Sequence, residues 1–242
     1  LHIDGTERLG YFGEALVVLH PAAPVSIDQA DHLRIAVGGA EVNFAVGIRR
    51  LGYDSAWIGR IGDDPLGRRV TRALRDEGVD IDHVRVDPRP TGLYLREWLP
   101  DGRRRPYYYR AGSAGSALDF ADWPTGIEAS WLHLSGVTLA LGPRPRRAVE
   151  RIAAWAVRQG VPVSFDPNYR EALWPPDRAR DAFRALLPRV DTLLLDTGEA
   201  DLVFDTSDPE IVLKRALAQG VRRPVIKLGA DGAMAVDEDG CI

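Results

Sequence analysis

The sequence has few of the residues that form disulfide bonds in small secreted domains or that bind a structural metal. Its 242 residues include one cysteine, Cys241, which excludes an internal disulfide framework and indicates a reducing, cytoplasmic setting. The five histidines are scattered without metal-ligand spacing, so a structural zinc site is not predicted. No apolar run approaches the ~18 residues that a membrane-spanning helix needs, and the polar start of the chain does not predict a signal peptide.

The sequence also lacks a strong excess of either charge and the common nucleotide-binding motifs. A formal net charge of −4 gives no electrostatic basis for binding nucleic acid. There is no G-x-x-x-x-G-K-[ST], which excludes a P-loop enzyme, and no G-x-G-x-x-G after the first strand, which weakens a dinucleotide-binding interpretation. No Ser/His/Asp or Cys/His arrangement of a nucleophilic hydrolase stands out.

What is present is an ordinary globular composition with a regular alternation of elements. Apolar strands alternate with amphipathic helices, which predicts an α/β fold with a parallel sheet covered on both faces. Residues 84–110 differ, because they resemble two strands joined by the turn "PDGR". We expect a small β-sheet lid built from about residues 18–37 and 84–111, with the core formed by the remainder.

Several polar or glycine-containing clusters follow predicted strands, where open α/β sheets bind their ligands. Gly38-Gly39 precedes a helix start and could admit a ligand, although a simple strand-to-helix turn is the stronger interpretation. Asn43 lies one turn into that helix, where we expect a buried amide that needs partners.

Three further clusters each allow two interpretations. "DPNYR" (166–170) is either turn chemistry or part of a site to which Arg170 adds a cation. "DTGE" (196–199) either caps the following helix or supplies carboxylates for Mg²⁺. "KLGADGA" (227–233) is a glycine-rich turn at a strand end that is equally consistent with a hairpin.

The stretch "RPYYYRAGSAGSAL" (105–118) sets an arginine among tyrosines and follows it with small residues. On a strand, Tyr107 and Tyr109 would share one face, and Tyr108 and Arg110 the other. Nothing in the folding of an ordinary domain requires this order, which indicates a binding role.

Taken together, these motifs resemble the PfkB (ribokinase-like) carbohydrate kinase family. "GGAEVNFAVGIRRLGYDSAWIGRIGDDPLGRRV" (38–70) is similar to its N-terminal signature nearly throughout. Within the family, "VGGAEVN", "TGLYLRE", "YYYRAGSAGSAL", "LHLSG" and "DPNYREALW" resemble the 2-keto-3-deoxygluconate kinases. The resemblance implies one kinase domain over residues 1–242, with a three-layer Rossmann-like core, a lid, and homo-oligomers formed through the lid.

The resemblance also implies ATP- and Mg²⁺-dependent phosphorylation of a sugar-type hydroxyl, giving 2-keto-3-deoxy-6-phosphogluconate. Fructokinase or ribokinase activity is the neighbouring alternative, and a truncated, non-catalytic sugar-acid-binding module is another.

The implied site residues fall into three groups. The substrate-binding group is Gly39, Asn43, Tyr94, Tyr108, Tyr109, Arg110 and Arg170. The nucleotide-binding group is Asn168, Arg170, Lys227, Gly229 and Gly232. Glu199 falls on the acidic position of the family's Asn-x-x-Glu motif and is the implied Mg²⁺ residue, although Asp196 replaces the Asn.

A physical argument for a sugar acid stands beside this resemblance. An arginine can grip a planar carboxylate through two parallel charge-assisted hydrogen bonds. Phenol hydroxyls can donate to sugar oxygens while their rings cover the carbon skeleton. The small residues after Arg110 would let the substrate lie near the backbone.

Members of this family carry a later Asp-Thr-x-Gly-Ala-Gly-Asp segment whose last Asp is the general base. These 242 residues do not contain it. We therefore expect the catalytic Asp beyond Ile242, with the C-terminal part of the fold missing, and assign no catalytic residue here.

Overall fold

The computed structural model describes residues 8–99, 101–124 and 126–236. The chain divides into an N-terminal unit, Tyr11–Leu118, and a C-terminal unit, Asp119–Ile242 with Leu1–Gly10. Cys241 and the first residue of the "PDGR" turn, Pro100, lie outside the described residues. In the described part of the chain, no helix is both long and apolar enough to span a membrane.

The secondary structure follows the alternation that the sequence predicts. The N-terminal half contains β1 (Arg8–Phe12), β2 (Leu16–Pro21), β3 (Leu33–Gly38), α1 (Ala40–Arg50), β4 (Asp54–Ile58), β5 (Arg60–Gly62), α2 (Pro65–Asp76), β6 (Arg85–Asp87), β7 (Leu93–Trp98) and β8 (Arg104–Tyr109). The C-terminal half contains β9 (Trp131–Ser135), α3 (Gly136–Ala140), α4 (Pro143–Gln159), β10 (Val163–Asp166), α5 (Pro176–Leu186), β11 (Thr192–Asp196), α6 (Thr197–Phe204), α7 (Pro209–Ala218), β12 (Arg223–Lys227) and β13 (Ala233–Ala235).

The C-terminal unit is built on a mainly parallel sheet. Its strands lie in the order β13-β12-β11-β10-β9, and the first residues of β1 come next to β9. Strands β9 to β12 run parallel to one another, and β13 is antiparallel to β12. Phe165 on β10 and Phe183 on α5 are fully buried and pack edge to face. This arrangement confirms the predicted α/β fold with a parallel sheet.

The N-terminal unit carries a separate four-stranded sheet in the order β3-β2-β7-β8. Strands β7 and β8 form the predicted antiparallel hairpin, in which Tyr94 lies opposite Tyr108. The ranges 18–37 and 84–111, expected to form the lid, supply most of this sheet. Strand β6 is different, because it pairs with β5 in a two-stranded parallel sheet.

The core of the N-terminal unit lies against β4 and the end of β1. Strand β4 is the neighbour of β1 in the sheet order, and Tyr11, Phe12, Trp57 and Ile58 are fully buried there. Burying side chains of this size removes apolar area from water and is the main source of stability for such a unit.

Helix α2 begins at a carboxylate that serves two elements at once. Asp64 is its N-cap, and Oδ1 accepts the Gly67 N–H at 2.7 Å. The same carboxylate accepts the Thr91 N–H at 2.7 Å and the Thr91 hydroxyl at 2.9 Å. Asp64 therefore fixes the helix start and also anchors the segment that leads into β7.

We expect Asp64→Ala to lower the free energy of unfolding by about 2 kcal/mol, because it removes a helix cap and the two Thr91 hydrogen bonds. Asp208→Ala is the matched control, since Asp208 also caps a helix but its cap bond, to the Ile211 N–H, is exposed. Its loss should be clearly smaller. Urea unfolding of both variants measures the difference, and equal losses would contradict the double role of Asp64.

Candidate active site

The arginine singled out in the tyrosine-rich stretch is buried beside a carboxylate. Arg110 follows β8 and is 8% exposed, and Glu14 lies between β1 and β2 and is 2% exposed. Nη2 of Arg110 forms an ion pair with Oε2 of Glu14, and Oε1 of Glu14 accepts the Ser113 hydroxyl at 2.9 Å. Within the described ranges, Nε of Arg110 has no hydrogen-bond partner.

Glu14 was not among the site residues predicted from the sequence. The available signal was a carboxylate inside the apolar run "YFGEALVVL", where a charged side chain needs a partner. A second carboxylate, Glu41 at the start of α1, is also fully buried. Burial raises the pKa of the Glu14 carboxyl, and Glu41 adds to the rise, while Arg110 and Ser113 act against it.

The tyrosines alternate between faces as the sequence predicts. The Tyr108 ring lies 5.4 Å from the Tyr94 ring, and the Arg110 guanidinium lies 5.4 Å from the Tyr108 centroid. Tyr107 and Tyr109, on the other face, are 41% and 61% exposed. The structure thus groups Tyr94, Tyr108 and Arg110, and it does not bring Tyr109 into that group.

Gly39 is the N-cap of α1 and has a φ of 140°, a backbone conformation that favours glycine. Its carbonyl accepts the Asn43 N–H at 3.0 Å, so the strand-to-helix turn is present. The expectation of a buried Asn43 amide is wrong, because the side chain is exposed. Burial on this helix falls instead on Glu41, Val42 and Ala45, which lie on another side of it.

In the C-terminal unit, the ends of three parallel strands bring charged groups together. Asp166 ends β10 and Lys227 ends β12, and Nζ of Lys227 lies 2.9 Å from Asp166 Oδ2 and 3.8 Å from Glu199 Oε2. The other oxygen of Asp166 accepts the Asn168 N–H at 2.9 Å. Asn168 has a φ of 41°, in the left-handed region that Asn tolerates better than most residues. The turn interpretation of "DPNYR" is therefore confirmed, and Arg170 beside it is exposed.

The acidic pair after β11 forms a capping box. Asp196 Oδ1 accepts the Glu199 N–H at 2.8 Å, and Glu199 Oε2 accepts the Asp196 N–H at 2.8 Å. Oε1 of Glu199 accepts the Tyr169 N–H at 2.9 Å, which ties α6 to the turn after β10. Burial raises the pKa of the Glu199 carboxyl, and the Asp166 charge adds to the rise. The Asp196 N–H and the charge of Lys227 act to lower this pKa. The capping interpretation is confirmed.

The contacts of Glu199 give no support for a direct bond from its carboxylate to Mg²⁺. Both Glu199 oxygens already accept backbone N–H bonds, and the described residues contain no cluster of three His, Cys, Asp or Glu side chains able to hold a metal. Mg²⁺ in kinases usually keeps several waters and binds mainly to phosphates. The metal role of Glu199 stays a prediction.

The glycine-rich turn after β12 is the hairpin that the sequence allowed. Strand β13 runs antiparallel to β12, and the Leu228 N–H donates to the Gly232 carbonyl at 2.7 Å. Gly229 and Gly232 have φ values of 64° and 93°, so each occupies a conformation that other residues rarely adopt. The turn lies one residue beyond Lys227, which joins it to the charged cluster.

Residues 8–242 match the pfkB family carbohydrate kinase pattern. The chain belongs to this family. A 2-dehydro-3-deoxygluconokinase of Thermoproteus tenax is 37% identical over 230 residues, which are 91% of this chain and 69% of the relative.

Solved structures of the family share the fold. A PfkB protein from Polaromonas sp. JS666 superposes with a TM-score of 0.92 at 33% identity, covering 97% of this chain and 81% of that one. A fructokinase from Vibrio cholerae O395, in a form that holds fructose, ADP and calcium ion, has a TM-score of 0.84 at 31% identity and covers 96% of this chain and 74% of that one. The ribokinase-like α/β fold with a small lid sheet is confirmed.

This PfkB chain also buries a histidine beside the charged cluster. His133 on β9 is 2% exposed, and its Nδ1 lies 2.9 Å from the Ser164 hydroxyl on β10. Burial, helped by the charge of Lys227, lowers the pKa of His133 to about 3. The imidazole therefore stays neutral in the folded protein at neutral and mildly acidic pH.

We expect His133 to make the protein acid-sensitive. Its pKa is about 6.5 when unfolded and about 3 when folded, so the unfolded chain binds more protons between those values and stability falls as pH falls through that window. At pH 5 this costs about 2 kcal/mol relative to pH 7.5. His133→Asn should remove that difference.

Urea unfolding gives the free energy of unfolding at pH 7.5 and at pH 5. The difference between these two free energies is compared between each variant and the unmodified protein. His32→Asn is the control, because this histidine is exposed. A loss on acidification that stays the same in His133→Asn would contradict the assignment.

Proposed function

We propose that this PfkB carbohydrate kinase transfers the terminal phosphoryl group of ATP to 2-keto-3-deoxygluconate, giving 2-keto-3-deoxy-6-phosphogluconate. Membership of the family leaves the sugar open, since a fructokinase is nearly as similar as a sugar-acid kinase. The observation that favours the acid is the buried Arg110 beside the Tyr94–Tyr108 pair.

A buried guanidinium suits an anionic substrate better than a neutral one. A guanidinium has five N–H donors, so the ion pair with Glu14 leaves others, and Nε has no partner in the described part of the chain. Charge-assisted bonds to a carboxylate are about twice as strong as neutral ones. A neutral sugar can accept the same N–H groups only through uncharged oxygens, which form weaker bonds.

The remaining substrate contacts are proposed on resemblance and placement. In the N-terminal unit they are Gly39, Asn43, Tyr94, Tyr108 and Tyr109. The exposed Tyr109 is the weakest member, because it lies on the strand face opposite Tyr108.

For the nucleotide we propose the strand-end cluster of the C-terminal unit. Lys227 supplies an ammonium that is paired with Asp166 and 42% exposed, so it remains reachable by an anion. The other proposed contacts are Asn168, Arg170, Gly229 and Gly232, which lie in the two turns that follow β10 and β12.

Substrate preference can be measured by calorimetry with 2-keto-3-deoxygluconate and with fructose. We expect the acid to bind more tightly, and Arg110→Ala to weaken it at least about tenfold, since a lost bond to a charged group costs roughly 1.5–3 kcal/mol. Binding of fructose should change little. Mass spectrometry of the products formed by the native enzyme with ATP and each sugar tests the transfer itself.

Arg105→Ala is the matched control, because Arg105 lies on the same strand β8 but is exposed. It should leave both affinities unchanged. Tighter binding and faster phosphorylation of fructose in the unmodified protein would instead identify a fructokinase.

A further inference from the structure

The N-terminal unit buries two carboxylates, and one of them, Glu14, is paired with a buried arginine. Glu14 and Glu41 are 2% and 0% exposed, and Arg110 is 8% exposed. Burying an ion pair is a poor way to gain stability, because the desolvation of both charges opposes their attraction. The arrangement therefore calls for an explanation other than holding the unit together.

The small residues around the pair make room for the Glu14 carboxyl group. A Cβ on Gly115 would overlap Cγ and Cδ of Glu14, and one on Gly92 would lie 3.0 Å from Glu14 Oε1. Ser113 contributes a hydroxyl to the same oxygen at 2.9 Å. The small residues after Arg110 are expected to make room for the substrate. At Gly115, that room is occupied by the Glu14 carboxyl group.

The contacts of Glu14 fix it in one position. Oε1 is held by Ser113, which stands three residues after Arg110 and is 1% exposed. Oε2 pairs with Nη2 of Arg110. The carboxylate thus holds one end of the guanidinium, while Nε has no partner in the described part of the chain.

We propose that Glu14 is a positioning residue that orients the Arg110 guanidinium, so that its remaining donors meet the carboxylate of the sugar acid. This rests on the proposed function, because it takes Arg110 to be the group that binds the acid. Preorganisation of this kind raises affinity by removing the cost of ordering a long side chain at the moment of binding.

A purely electrostatic role would have the opposite sign. If Glu14 acted only through its charge, it would repel an anionic substrate, and its neutralisation would tighten binding of the acid. A purely structural role would weaken the acid and a neutral sugar alike. Only positioning weakens the acid selectively.

The test is calorimetry on Glu14→Gln, which keeps the size of the side chain and removes its charge. We expect the ratio of the Kd for 2-keto-3-deoxygluconate to the Kd for fructose to rise about tenfold. In the native enzyme, KM for the acid should rise by a similar factor, with kcat nearly unchanged. A ratio that is unchanged or lower would overturn the proposal.

Ser113→Ala keeps both charges and removes only the hydroxyl that holds Oε1, so it tests the same idea if Glu14→Gln fails to fold. The ratio of the two Kd values should also rise in Ser113→Ala, but by less than in Glu14→Gln. An unchanged ratio would count against positioning. Gly115→Ala should also raise the ratio by displacing Glu14. Its control is Gly47→Ala, because a Cβ on Gly47 meets no described atom within 4 Å beyond its chain neighbours and its own helix backbone.

The unmodified protein separates this proposal from the one on which it rests. If it prefers fructose, the sugar-acid function is wrong and the positioning role falls with it. If it prefers the acid but Glu14→Gln leaves the ratio unchanged, only the positioning role is wrong.

Discussion

The ion pair between Arg110 and Glu14 joins stretches of the N-terminal unit that are far apart in sequence. Glu14 comes from the connection between β1 and β2, and Arg110 and Ser113 come from the segment after β8. A buried guanidinium without a partner would carry a large desolvation cost. Strand β7 lies between β2 and β8 in the sheet. The ion pair therefore requires these strands to hold Arg110 next to Glu14, where the two charges neutralise each other.

In the C-terminal unit, two carboxylates each make several contacts. Asp166 accepts a backbone N–H within its own turn and also pairs with Lys227. Glu199 completes a capping box and holds the turn after β10. Each side chain stabilises local structure and at the same time places charge at the strand ends, where a nucleotide is proposed to bind. Capping and binding are thus not exclusive interpretations of the same motif.

Much of the fold could be predicted because it depends on local pattern. The alternation of apolar strands with amphipathic helices predicts the parallel sheet, and the period of two in the tyrosine run predicts that Tyr108 and Arg110 share a face. The expectation for Asn43 was wrong for a physical reason. Its position one residue from Val42 turns it about 100° around the helix, so the amide points away from the buried side.

The sequence by itself determined the family, the α/β architecture and the residue types available for chemistry, because these follow from motifs and from periodicity along the chain. Only the tertiary structure decided that Arg110 is paired with Glu14, and that Gly115 leaves room for that carboxylate. Ion pairs and close contacts between residues about 100 positions apart depend on how strands are registered in space. That register cannot be predicted from a local pattern of charge or side-chain size.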